Sequence, residues 1–449
     1  MCSLALPKIA DLRAGFKIPS PLNIALMLTL VVLLAAILGT RPMDKEVFEY
    51  GTQVLGFWYK GVWGLLSFTM QMVMMLVLGH MLALSPMVST FVHRFIEKFN
   101  SMAWATTAVL ILTLLMAFFN WGFGLIFGAV MARKLGEYAS SKGLAFNYPL
   151  MAAAGYSGLM IWHGGISGSA PLSVAKEGHS LVDKIGVISS SETIFSHQNL
   201  VACVLIVLIL GAYVRWQAGK VHVANQSHWQ FNNSKQFKEP VFGRANPLVL
   251  VFGVLMLLIA AWKLVEAAQE TGDVFSALNL DFINFLLFGL VLLFLGNIRR
   301  VEAALGDASL SAAGILIQFP LYAGIMGVMR ESGMITLLAD GFVHISNTQS
   351  YPIFTMLSAS IVNLVVPSGG GQWAVQGPVV IEAAQTMGVS IPKSIMALAY
   401  GDQLTNMIQP FWALPLLGIT RIKASELLPY TFKLMLIGFL VYGLVLLFW

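Results

Sequence analysis

Two stretches of this chain are uncharged, apolar and the wrong length for ordinary membrane helices. No Lys, Arg, Asp or Glu occurs from Phe99 to Ala132, 34 residues, or from Gly341 to Ile381, 41 residues. As one helix the first would run about 51 Å, against an apolar bilayer core of about 30 Å. It is too short for two full crossings and a turn. The centre of each run holds residues that an undisturbed helix does not tolerate. The first reads Asn120-Trp121-Gly122-Phe123-Gly124, and the second reads Asn363-Leu364-Val365-Val366-Pro367-Ser368-Gly369-Gly370-Gly371-Gln372-Trp373. Each run is therefore predicted to be two half-helices meeting in a re-entrant hairpin. Irregular backbone at membrane depth must be buried in protein or line a wet cavity, so both tips are candidate sites.

Composition supports a bilayer as the solvent. Hydrophobic residues make up 57% of the 449 and charged residues 10%, where a soluble domain carries roughly 25% charged. The net charge of +5 lies in loops and reads as topology rather than nucleic-acid binding. Cys2 and Cys203 imply no disulfide framework. Lys8, Arg13 and Lys17 precede an apolar run from Pro21 to Gly39 that is longer than a signal-peptide core, so it is expected to stay as a first helix. Further apolar spans are expected near 61–85, 147–173, 197–215, 246–262, 279–298, 309–329, 392–420 and 428–449.

Two of these spans are also broken. One contains Gly155-Tyr156-Ser157-Gly158 and Trp162-His163-Gly164-Gly165-Ile166-Ser167-Gly168-Ser169-Ala170-Pro171. The other contains Gly401-Asp402-Gln403-Leu404-Thr405-Asn406 and Gln409-Pro410-Phe411-Trp412-Ala413-Leu414-Pro415. The features recur in order. A helix with Gln71, Gly79 and Ser85 matches one with Gln318, Gly327 and Ser332, then a hairpin tip at Asn120 or Asn363 follows, then a broken helix. The expected architecture is an all-α polytopic membrane protein of about nine crossings plus two hairpins, in two inverted repeats. Residues 1–215 form the first repeat, 216–245 a polar cytoplasmic linker, and 246–449 a linking helix and the second repeat. With a cytoplasmic N-terminus, 18 of the 26 Lys and Arg fall on the cytoplasmic side, as the positive-inside rule asks. Inverted repeats with discontinuous helices at the midplane mark secondary transporters.

Helix N-termini at such tips offer unpaired amides and partial positive charge, which suits an anion. Ser368, Gly369, Gly370, Gly371 and Gln372 are the candidates for holding a carboxylate, with Asn120, Gly122, Asn363, Ser167 and Ser169 completing the cradle. The glycines could equally serve tight helix packing. No Lys or Arg lies deep in a span, so a monoanion is favoured over a polyanion. Trp121 and Trp373 are expected to wall a pocket for an alkyl tail, or else to be core. Asp402 is the one acid deep in a span and a candidate proton carrier or cation ligand with Gln403 and Asn406; its alternative is a structural hydrogen bond. His163 is expected to be a satisfied core histidine. Neither a metal nor an organic cofactor is implied.

The blocks Val366-Pro367-Ser368-Gly369-Gly370-Gly371-Gln372-Trp373 with Gln376-Gly377-Pro378, Asn120 to Gly124, Gly164 to Pro171 and Gln409 to Pro415 resemble those of the short-chain fatty acid transporter family. The resemblance spans nearly the whole chain. It implies uptake of short-chain fatty acids or acetoacetate-like acids across a bacterial cytoplasmic membrane. It also implies kinship with a superfamily of opposed hairpins, homodimers and elevator motion. The chain departs from the family pattern at Gln372, where a histidine follows the triple glycine, and at His163, where glycine is usual. The superfamily's Ser-Asn-Thr tips are absent, with only Asn120 and Asn363 corresponding.

Two other readings exist. Another organic anion, or ion antiport, would use the same scaffold. Gly165-Ile166-Ser167-Gly168 also matches the G-x-S-G of intramembrane serine proteases. That chemistry needs an activating histidine on a later helix, and the later histidines lie in loops or at span ends, so no enzyme is expected.

Overall fold

The computed structural model describes residues 21–64, 66–99, 101–175, 177, 179, 181–220, 245–271, 277 and 280–448. The basic segment before Pro21 and most of the expected linker, 221–244, lie outside the described residues. All regular structure among those described is helical.

The first half runs α1 (Pro21–Gly39), α2 (Val47–Trp63), α3 (Leu66–Ala83), α4 (Pro86–Ile96), α5 (Met102–Phe119), α6 (Trp121–Ser141), α7 (Tyr148–Tyr156), α8 (Ser169–Val174), the short α9 (Val182–Ile185) and α10 (His197–Ala218). The second runs α11 (Pro247–Thr271), α12 (Leu280–Leu295), α13 (Ile298–Glu331), α14 (Met334–His344), α15 (Tyr351–Val365), α16 (Gly369–Thr386), α17 (Ile391–Thr405), α18 (Pro410–Thr420) and α19 (Ala424–Phe448). Six described helices are long and apolar enough to cross a membrane: those at Leu22–Gly39, Met102–Phe119, His197–Ala218, Pro247–Glu270, Ala312–Glu331 and Ala424–Phe448.

Both uncharged runs fold as helical hairpins. Asn120 alone separates α5 from α6, in extended conformation, and its side chain caps α6 by accepting from Phe123 N at 3.0 Å. Val366, Pro367 and Ser368 separate α15 from α16, and Ser368 Oγ accepts from Gly371 N at 3.2 Å. The broken spans are as irregular as their glycines demand. Between α7 and α8 lie 3-10 turns at Ser157–Met160 and Trp162–Gly164; between α17 and α18 lies one at Asn406–Ile408.

Two expectations need correction. The span expected at 61–85 is α3, and a helix that was not expected, α2, precedes it at Val47–Trp63. Glu49 and Lys60 on α2 keep it from reading as an uncharged run, although it buries Tyr50 and Val54. The loop expected around Arg299 and Arg300 is instead the first turn of α13, a single 34-residue helix capped by Asn297. It packs against α1, α2, α3 and α18, and so forms the backbone of one side of the molecule.

The order α3, α4, hairpin, broken helix, long helix recurs as α13, α14, hairpin, broken helix, long helix; α4 and α14 have 11 residues each. The two broken helices lie antiparallel. Tyr148 donates to Thr420 O, Tyr156 to Asn406 O, both at 2.8 Å, and His163 meets Asp402, so one number falls as the other rises.

Candidate functional site

The chain's four interruptions meet. At the first tip, Trp121 N donates to Ser167 Oγ at 3.0 Å and Ile166 N to Phe118 O at 2.7 Å. These bonds tie the first tip to the first broken helix. Trp121 packs on Trp162 and Trp412, with ring centroids 6.0 and 5.0 Å apart. That brings in the second broken helix. A β-carbon at Gly369, the first residue of α16, would lie 2.8 Å from His163 Cε1 and 2.9 Å from Trp162 Cη2. Only glycine lets the second tip approach so closely.

His163 is fully buried and stacks on Trp162. Its Nε2 lies 3.1 Å from Ala170 N, which can only donate. Nε2 is therefore an acceptor, and the ring proton sits on Nδ1, hydrogen-bonded to Asp402 Oδ2. Histidine is thus satisfied on both nitrogens, as a core histidine should be, but one partner is the acid that the sequence singled out. Asp402 is 1% exposed, and its second oxygen, Oδ1, has no protein partner.

Around this pair lies an amide network. Asn363 Nδ2 faces Asp402 O, Thr405 Oγ1 and Asn406 Oδ1 at 2.7, 3.0 and 2.7 Å. Gln409 Nε2 donates to Asn363 O at 2.6 Å, joining the start of α18 to the end of α15. Gln403 Oε1 receives the amides of His163 and Gly164 at 3.0 and 3.3 Å. Several buried atoms here have no partner: Trp162 Nε1, Asn363 Oδ1, Asp402 Oδ1, Asn406 Nδ2 and Gln409 Oε1. None of these side chains is more than 4% exposed. Each such atom costs about 1–3 kcal/mol, so a cluster of them marks a place shaped for chemistry rather than for stability.

The predicted residues divide by position. Asn120, Trp121, Ser167, Ser169, Asn363, Ser368, Gly369, Gly370, Asp402, Gln403 and Asn406 lie at or beside the junction. Ser169 Oγ would be 3.8 Å from a β-carbon on Gly370. At the start of α16, Ser368 caps Gly371 N through its side chain and Gln372 N through its carbonyl. The amides of Gly369 and Gly370 are left as the open donors of that helix end. A β-carbon on Gly122 would lie 2.7 Å from Met75 Cε, and one on Gly371 would lie 3.0 Å from Ser368 Oγ and 3.6 Å from Met326 Sδ. Gln372 turns into its own hairpin, donating to Ala359 O and Gln376 Oε1, both at 2.9 Å. Trp373 belongs to a second apolar cluster with Ala170, Val174, Tyr351 and Val380. Trp121 packs instead against the main core, so the two tryptophans do not wall one pocket.

Sequence reasoning missed other groups. Tyr322 OH and Gln318 Oε1 on α13 are buried without partners, and Phe319 stacks on Phe411 at 3.8 Å. The polar residues Gln318 and Tyr322, four apart on one helix, were the available signal.

A profile of the family described as "Short chain fatty acid transporter" matches residues 12–449. A relative in Escherichia coli K12, provisionally named a short-chain fatty acid transporter, is 32% identical over 428 residues and covers 95% of both chains. One in Haemophilus influenzae, with the same provisional name, is 31% identical over 436 residues and covers 92% of both. Solved structures of MtrF from Neisseria gonorrhoeae and of the YdaH transporter from Alcanivorax borkumensis align over 95% of this chain and over 95% and 98% of their own. Both do so at 17% identity and a TM-score of 0.42, too slight to assign shape or substrate. The family profile and the two relatives show that this chain belongs to the short-chain fatty acid transporter family, a multi-pass membrane transporter rather than an enzyme.

Proposed function

We propose that the protein is a secondary carrier for short-chain monocarboxylates in a bacterial inner membrane, coupled to a cation and working by alternating access. The observation that carries this reading is the junction itself. Four chain breaks converge, and the open Gly369 and Gly370 amides sit beside an acid–histidine pair, with no Lys or Arg among the residues that build it.

The carboxylate binds at the N-terminus of α16, where amides and helix dipole favour an anion without a full positive charge. A polyanion would need more countercharge than this site supplies, which favours monocarboxylates. The ring faces of Trp121, Trp162 and Trp412 give the alkyl tail an apolar wall. Asp402 is the coupling group. His163 fixes one carboxylate oxygen, which leaves Oδ1 to take the coupling proton or sodium ion. Gln403 and Asn406 play a holding part, since their side-chain oxygens already accept from the His163 and Gly164 amides and from Asn363.

The proposed topology has nine crossings: α1, α3, α7 with α8, α10, α11, α12, α13, α17 with α18, and α19. The two hairpins re-enter from opposite faces, the N-terminus is cytoplasmic, and the repeats, 1–215 and 246–449 about a 216–245 linker, are inverted. The antiparallel broken helices support this. So do the ends: Arg133 at the base of the first hairpin donates to Ile419 O at 2.8 Å, while Gln385 at the base of the second donates to Lys184 O at 3.0 Å.

Counterflow of labelled acetoacetate and butyrate in proteoliposomes, with and without sodium and across a pH series, tests the reading. Saturable exchange inhibited by short monocarboxylates is expected. No exchange under any ion condition, from folded protein, would move the assignment to another organic anion or an ion antiporter.

A further inference from the structure

A cavity separate from the junction opens between α2 and α13. It holds about 290 Å³ and is lined by Phe57, Lys60, Met326, Gly327, Arg330 and Glu331 among others. Its existence follows from how the two helices cross. A β-carbon at Gly61 would lie 2.9 Å from Gly327 Cα, so the backbones touch there, and the space beside the contact is lined by Lys60 and Arg330. The volume is enough for a small organic anion and too small for a folded partner.

Three observations give the cavity a direction. Its mouth carries two cations, Lys60 and Arg330, against one carboxylate, Glu331, which pairs with Arg330 at 2.8 Å. Its inner wall includes Met326, whose Sδ would be 3.6 Å from a β-carbon on Gly371, next to the open amides of Gly369 and Gly370. Its mouth is also remote from the other charged end of α13. There Asp307 pairs with Arg421 at 2.7 Å, and 23 residues of helix, about 35 Å, separate Asp307 from Arg330. Lys60 and Arg330 are two of the eight basic residues that the proposed topology puts outside the cytoplasm.

We propose that this cavity is an external access vestibule for the carboxylate, with Lys60 and Arg330 collecting the anion and Met326 separating it from the second hairpin tip. The inference rests on the carboxylate reading above. Lys60 and Arg330 are specificity residues of the approach and do not touch the bound substrate at the junction. A charged mouth raises the local anion concentration and is screened by salt, so its contribution shows in KM at low ionic strength rather than in the saturated rate.

The same cations would suit a lipid phosphate, and the test separates the two sources. Initial-rate counterflow of labelled acetoacetate is measured for wild type, K60Q/R330Q and K60R/R330K, in phosphatidylcholine liposomes and in liposomes with added phosphatidylglycerol. In both lipids K60Q/R330Q is expected to raise KM about three- to tenfold at low salt, with the saturated rate unchanged and the difference lost at high salt. K60R/R330K is expected to match wild type. An unchanged KM in K60Q/R330Q, beside wild type that exchanges, overturns the vestibule while leaving the carboxylate reading intact. A KM change confined to the phosphatidylglycerol liposomes overturns it in favour of a lipid headgroup. Wild type that exchanges no carboxylate overturns the substrate reading, and the vestibule with it.

Discussion

The two hairpin tips start from the same instruction and end differently. Both are short interruptions in an uncharged apolar run, and both use a polar residue to cap the outgoing helix. At the first, the chain turns through Asn120 alone and is stitched to Ile166 and Ser167 by two backbone-donated bonds. At the second, it turns through Val366, Pro367 and Ser368, and the amides of Gly369 and Gly370 are open. Both tips place a helix end at one junction, but the first leaves a single unpaired amide, Gly122 N, and the second leaves two side by side, Gly369 N and Gly370 N. In the proposed carrier the first tip is a fixed wall and the second is the surface that holds the carboxylate.

Paired substitutions can break this comparison. The largest effect is expected from Gly165→Ala, whose β-carbon would collide with Phe118 O. Backbone cannot yield as a side chain can, so the cost should be about 3 kcal/mol or more, read as lost folded yield and a lowered Tm. Survival of that variant with full stability would show that the first tip is not a fixed wall.

Gly369→Ala meets only the His163 and Trp162 side chains. Displacing them by a few tenths of an ångström should slow exchange about five- to hundredfold with a small change in Tm. Gly370→Ala, with nothing nearer than 3.8 Å, should stay within about twofold of wild type. Equal losses at 369 and 370 would place the sensitive surface elsewhere.

Asp402→Asn keeps an oxygen for His163 Nδ1–H and removes the charge. Exchange should persist, reduced by less than about tenfold, while the sodium or pH dependence of net uptake disappears. Retained ion dependence in this variant would remove Asp402 from coupling. The smallest effects are expected from Ser167→Ala and Ser368→Ala, each costing about 1 kcal/mol in stability. Only Ser368→Ala should also change KM, because its tip carries the two adjacent open amides of Gly369 and Gly370. KM values that move together would erase the difference between the tips.

Much of this arrangement was legible along the chain. The hairpins follow from length without charge, since a helix too long to cross once and too short to cross twice must turn. The broken helices follow from glycine and proline inside apolar spans. What was not legible depends on contacts between distant residues. His163 and Asp402 are 239 positions apart, and neither sequence neighbourhood names the other. Trp373 was grouped with Trp121 because both flank a tip. One helical turn past Gly369, its side chain belongs to the cluster around Tyr351 and Val380. The helix α2 escaped because Glu49 and Lys60 on its exposed side interrupt the apolar run that marks a span.

The seam between the two halves has a consequence for how such sequences can drift. Three of the tyrosines that cross it donate to main-chain carbonyls: Tyr148 to Thr420 O, Tyr156 to Asn406 O and Tyr442 to Met160 O, each at 2.8 Å. Each of these acceptors is the same atom whatever side chain stands there, unlike the Asn199 side chain that accepts from Tyr400 at 3.0 Å. Selection on the three carbonyl bonds therefore falls on one partner of each pair. The tyrosines are constrained, while positions 160, 406 and 420 serve these three bonds only through their backbone carbonyls. A change of side chain at these positions leaves the three bonds themselves in place, so what it must answer to is packing and, at Asn406, the bond from Asn363.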